Sequence, residues 1–182
     1  MAPTLWLLDR ATALIAYGAL FLATLTGILY SPRTATKFGI AHRAALTVHV
    51  PIAVFALLMM LVHGVLGSID TWKVYTGASP APTFGTTYLL VGVAVGIIAL
   101  GLVIVAALGF LDPRRFSRPW TPRLVHALAY AGFGFATVHV VAVGTDVTGY
   151  VRAAVFAAAA FVAYVLVLKL LVNKGYPEPS RS

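Results

Sequence analysis

Cysteine is absent from these 182 residues and charge is scarce, with 13 Lys and Arg and 5 Asp and Glu making up 10% of the chain. The first absence excludes disulfides, iron–sulfur ligation, thiolate ligation and covalent c-type haem attachment. The second excludes the polar surface of a soluble domain: 60% of the residues are hydrophobic and the mean hydropathy is +0.94. No glycine-rich dinucleotide fingerprint follows a strand, because the glycines fall inside apolar runs or in short connections. A single membrane domain over residues 1–182 uses nearly the whole length, leaving no room for a nucleotide-binding or flavin domain. This polypeptide alone is therefore not expected to oxidise NADPH.

What is present is apolar sequence in blocks. Five segments, at 5–30, 44–69, 87–111, 122–144 and 148–172, are long and hydrophobic enough to cross a bilayer. The expected fold class is all-α, a polytopic membrane bundle of five helices. The run at 11–30 exceeds a typical signal-peptide core and is followed by Tyr30-Ser31-Pro32-Arg33, which offers no small-residue cleavage pattern. Pro32, the Pro80/Pro82 pair and Pro113, Pro119 and Pro122 punctuate the connections.

The net charge of +8 sits in those short connections, which makes it a topology signal; no nucleic-acid partner is expected. Arg33, Lys37, Arg43, Arg114, Arg115, Arg118, Arg123, Lys169, Lys174 and Arg181 fall on one side, against Arg10, Lys73 and Arg152 on the other. The richer side is expected to be cytoplasmic, with the N-terminus out and the C-terminus in. Trp6, Trp72, Tyr75, Tyr88, Trp120 and Tyr150 fall near segment ends, where aromatic belts form.

Four histidines stand out in the apolar segments. His49 and His63 lie fourteen residues apart in the second segment, and His126 and His139 thirteen apart in the fourth. At about 1.5 Å of rise per residue each interval covers roughly 20 Å, so each helix carries one imidazole near each edge of a hydrocarbon core about 30 Å thick. The two segments run in the same direction, which pairs His49 with His126 at the inner level and His63 with His139 at the outer. Ionisable residues in membrane segments mark functional paths. Two level-matched pairs suit the axial ligands of two non-covalent haems, with both axial positions filled, which favours electron transfer over gas binding. Zinc needs three or four donors at one ion, and no cysteine or acidic residue is expected beside these histidines in the apolar core.

Helical phase sets His63 within about 40° of His49, but His139 about 140° from His126. Gly132 and Gly134 lie between the latter two, where bending, close packing or the approach of a flat macrocycle would use small residues. Pro51 is expected to distort the start of the second helix. Met59 and Met60 are read as packing residues. Gly92-x-x-x-Gly96 and the AAVFAAAAF run of the fifth segment support close helix contact. His42, Arg43 and Arg123 are candidate propionate or interfacial partners at the inner boundary. The connection 70–86 is expected to be the longest on the outer side.

A His-x13-His segment followed, one helix later, by a His-x12-His segment resembles the ferric reductase-like transmembrane domain superfamily, over about residues 42–144. That superfamily includes NADPH oxidases, metalloreductases and the haem-binding membrane subunit of a bacterial methionine sulfoxide reductase system. The resemblance implies that His49, His126, His63 and His139 ligate the irons of two haem b groups. Members often have six helices and a fused flavin and nicotinamide-binding region, so the resemblance extends to the haem relay and not to NADPH oxidation. The function expected is that of a dihaem membrane cytochrome in the cytoplasmic membrane of a prokaryote. Its donor would be a flavoprotein, quinol or partner subunit, with other subunits of a redox complex and membrane lipid as further partners. A quinol-reactive cytochrome b subunit and a haemless membrane anchor or assembly subunit are the competing readings.

Overall fold

The computed structural model describes residues 4–30, 42–80, 85–111 and 121–174, without the side chains of 42–45, 110–111, 122 and 172–174. Five α-helices account for most of them: α1 Thr4–Leu29, α2 His42–Tyr75, α3 Thr86–Leu111, α4 Thr121–Val143 and α5 Gly149–Lys174. There is no strand among the described residues. Each helix contains an apolar stretch of 21 to 30 residues, against about 20 needed to cross a bilayer. A helix satisfies its own backbone groups within the segment, which lipid cannot do. The fold is an all-α bundle of five helices long and apolar enough to span a membrane.

The helices pack as two antiparallel hairpins, α1 on α2 and α3 on α4. Packing is dense within each hairpin and sparse between them, while α5 leans on α1 and α4. Small residues allow the close approach within the second hairpin: a Cβ on Gly132 would lie 2.8 Å from Val103 Cγ2 and 3.2 Å from the Ala99 carbonyl oxygen. Gly132 is thus used for helix contact, whereas a Cβ on Gly134 would meet nothing within 4 Å. Helix α4 runs unbroken past both glycines, and α2 runs unbroken through Pro51.

Halfway along the bundle Tyr17 of α1 stacks on Phe133 of α4, ring centres 5.6 Å apart, and Phe21 flanks the same ring at 6.5 Å. The Tyr17 hydroxyl lies 3.1 Å from Thr137 Oγ1 and donates to the Val155 carbonyl at 3.3 Å, joining α1, α4 and α5. Leu, Val, Ile and Phe side chains cover the exterior of every helix, as a lipid-facing surface requires.

One element differs from the sequence reading. Helix α2 continues to Tyr75, so Trp72, Lys73 and Tyr75 are helical and the connection is shorter than 70–86. The helix stops where Gly77 adopts φ +75, with the Ser79 and Gly77 amides donating to the Lys73 and Val74 carbonyls, a left-handed cap that glycine accommodates without strain. The polar residues from Ser68 onward ended the apolar segment without ending the helix.

Candidate functional site

The four intramembrane histidines meet in two pairs, each with one ring from each hairpin. The His49 and His126 ring centres lie 6.2 Å apart with their planes at 88°, and those of His63 and His139 lie 6.0 Å apart at 60°. Helix α4 supplies both of its rings despite the unfavourable phase, each meeting a carbonyl of α3 and a ring of α2. All four are half-buried.

In every ring Nδ1 has a partner. His139 Nδ1 lies 2.7 Å from the Gly92 carbonyl oxygen and His126 Nδ1 3.2 Å from that of Ala106, both on α3. His63 Nδ1 lies 2.8 Å from Asp9 Oδ1, and His49 Nδ1 lies 3.1 Å from Thr26 Oγ1, both on α1. Carbonyls and carboxylates only accept, so Nδ1 of His139, His126 and His63 must be the protonated nitrogen. The single Thr26 hydroxyl hydrogen is shared between the Leu22 and Ala23 carbonyls at 2.7 and 3.1 Å, which leaves its oxygen to accept from His49. Four imidazoles are therefore held as the tautomer whose lone pair lies on Nε2. Anchoring the other nitrogen on a carbonyl or carboxylate is the usual arrangement for a metal-binding histidine.

The pair separation fits a single metal between the rings. Two imidazoles on opposite faces of one metal, with metal–nitrogen bonds of about 2 Å, have ring centres roughly 6 Å apart. Among the described residues no three His, Cys, Asp or Glu side chains converge as a metal-binding group, so each candidate site offers two protein donors. A macrocycle that supplies four further donors in its own plane suits such a site; zinc, which needs three or four from the protein, does not.

Glycines make room for the rings. A Cβ on Gly96 would lie 2.8 Å from His139 Nδ1, and one on Gly27 would lie 3.1 Å from His49 Cε1. A Cβ on Gly67 would lie 3.7 Å from His63 Cε1 and 3.4 Å from Asp9 Oδ1. The His63–His139 pair also opens on a cavity of about 190 Å³ lined by α1, α2, α3 and α4, with Asp9, Arg10, Asp70 and Asp146 on its wall. Among the described residues Arg10 Nε is buried without a hydrogen-bond partner; Asp146 Oδ2, at 3.8 Å, is too far to serve. That donor suits an acidic group entering the cavity, such as a propionate.

A model of the family described as a domain of unknown function (DUF8596) matches residues 4–146. The chain belongs to that family. No curated protein and no solved structure matches it. The matched stretch begins with α1 and ends at Asp146, so it takes in all four histidines and all four Nδ1 partners, while α5 lies beyond it.

The other candidates fall less centrally. Arg123 is exposed in the first turn of α4. His42 and Arg43 open α2, with side chains outside the described residues, as are Arg33, Lys37, Arg114, Arg115 and Arg118. Met60 lines the cavity beside His63.

Several participants escaped the sequence reading, among them Thr26, Ala106, Gly27 and Gly67. Asp9, with its side chain 5% exposed, corrects the expectation that no acidic residue accompanies the histidines. Its signal was available in the sequence as an ionisable residue inside an apolar helix. Gly92 and Gly96 read as a helix-packing motif, yet one presents its carbonyl to His139 and the other makes room for that ring.

Proposed function

We propose that this chain is a b-type dihaem membrane cytochrome that passes electrons across the bilayer between a separate donor and an acceptor on the other side. The observation that carries the reading is the paired geometry: two sets of imidazoles at single-metal separation, all four anchored through Nδ1. His49 and His126 would hold one haem b, and His63 and His139 the other. When bound, each haem would supply a one-electron carrier.

The chain's own residues do the rest. Asp9, Thr26, Gly92 and Ala106 fix ring orientation and tautomer; the apolar side chains exclude water; Arg10 binds the acidic edge of the outer group. The resemblance to the ferric reductase-like superfamily supports the same assignment. The basic balance of residues supports placement in the cytoplasmic membrane of a prokaryote, with the His49–His126 pair on the inner side. The donor is a flavoprotein, quinol or partner subunit.

A pyridine haemochrome assay on the purified protein tests the reading. Two haems per polypeptide are expected, with a low-spin reduced-minus-oxidised spectrum. Well under one, in preparations kept supplied with haem throughout, would refute it.

A further inference from the structure

The two histidine pairs do not share an electrostatic environment. At one end His63 donates to the buried Asp9 carboxylate at 2.8 Å and His139 to the Gly92 carbonyl at 2.7 Å. At the other, His49 donates to a hydroxyl at 3.1 Å and His126 to a carbonyl at 3.2 Å. Of these four bonds the first pair has the two shorter ones and the one to an anion. An imidazole whose Nδ1–H is held by a carboxylate is a stronger electron donor through Nε2, and a stronger donor stabilises the more positive, oxidised metal.

The fixed charges point the same way. Asp9, Asp70 and Asp146, every carboxylate side chain among the described residues, line the cavity beside His63 and His139, and Arg10 is the one cation among its lining residues. The apolar span of α5 also holds a basic group. Lys169 of α5 donates to the Tyr130 hydroxyl at 3.4 Å, its Nζ 5.7 Å from the ring centre, and Tyr130 stands one turn from His126 on α4. A charge in a low-dielectric interior is weakly screened.

Building on the dihaem reading, we infer that Asp9 and Lys169 split the potentials of the two sites, making the His63–His139 haem the lower and the His49–His126 haem the higher. Both are positioning residues: Asp9 acts through His63, and Lys169 through the field at the inner site. A single electron shared between the two sites then resides at the Lys169 end. With the inner side assigned as above, the relay holds its electron on the cytoplasmic side and releases it outward only when the acceptor or the membrane potential draws it.

Equilibrium redox titration of the purified, haem-loaded protein, followed optically, tests this without any turnover assay. Two components are expected in the unaltered chain. Asp9→Asn should raise the lower component and leave the upper in place; Lys169→Met should lower the upper and leave the lower in place. Each substitution therefore narrows the gap from its own side. Two components indifferent to both substitutions, or an Asp9→Asn shift confined to the upper one, would overturn the inference while leaving the dihaem assignment standing. Where Asp9→Asn fails to retain its haem, Lys169→Met decides alone by the same criterion. A preparation without haem bands would fail the underlying reading as well.

Discussion

An imidazole inside a membrane has two nitrogens to satisfy, and in this bundle one of them is committed to a neighbouring helix. Removing a ring should therefore empty the site it shares. His63→Ala and His139→Ala are expected to lose the same spectral and potentiometric component, and His49→Ala and His126→Ala the other; grouping of His49 with His139 would contradict the geometry. Gly96 offers a subtler probe. Its substitution by Ala would place a methyl 2.8 Å from His139 Nδ1, an overpacking worth about 1–3 kcal/mol, and should weaken or shift the outer component. Gly134→Ala, where a Cβ has open space, should leave both components unchanged in the same spectra. The histidines were legible because an ionisable residue is rare in so apolar a chain. Their partners were not, because which carbonyl or carboxylate meets Nδ1 depends on how α1 and α3 lie against α2 and α4, and no local pattern in the sequence records that.

The helices themselves were readable from hydropathy, since a segment of this length in lipid has little alternative to the α-helix. Where hydropathy and helicity part company the reading fell short, as in the last turns of α2 from Asp70 to Tyr75. The alanine-rich run of α5 gave no hint that its backbone would matter, yet the Val155 carbonyl accepts from Tyr17. This contact and the Thr137 pairing hold α1 and α5 to α4 at mid-depth. Tyr17→Phe keeps the Phe133 stack and removes only the hydroxyl. It should cost about 1 kcal/mol, the net worth of such a hydrogen bond, read as a lower thermal midpoint in detergent with haem content unchanged.

Across the whole molecule, charge is sorted by end. The described carboxylates gather at the His63–His139 end, while most Lys and Arg belong to the connections and C-terminal stretch assigned to the opposite side. Arg114, Arg115 and Arg118 would form a docking surface for an acidic donor protein, with association weakened by salt. Reversing all three charges should slow reduction by that donor and flatten its salt dependence while haem content stays normal. Reduction that remains as fast and as salt-sensitive would favour a donor arriving through the lipid.

Each histidine pair takes one ring from α1–α2 and one from α3–α4, and the two hairpins pack sparsely on each other. This arrangement dictates an order of maturation. During synthesis the first hairpin is complete while both sites are still half-built, and neither becomes whole until α4 has been inserted. On the dihaem reading, cofactor supplied earlier would find only a single ligand; cofactor supplied afterwards would clasp the halves together, stabilising the assembled form by mass action. On the dihaem reading, a cell short of haem would accumulate the chain as two loosely joined hairpins, a form open to membrane quality-control proteases. Its steady-state abundance would then report haem supply.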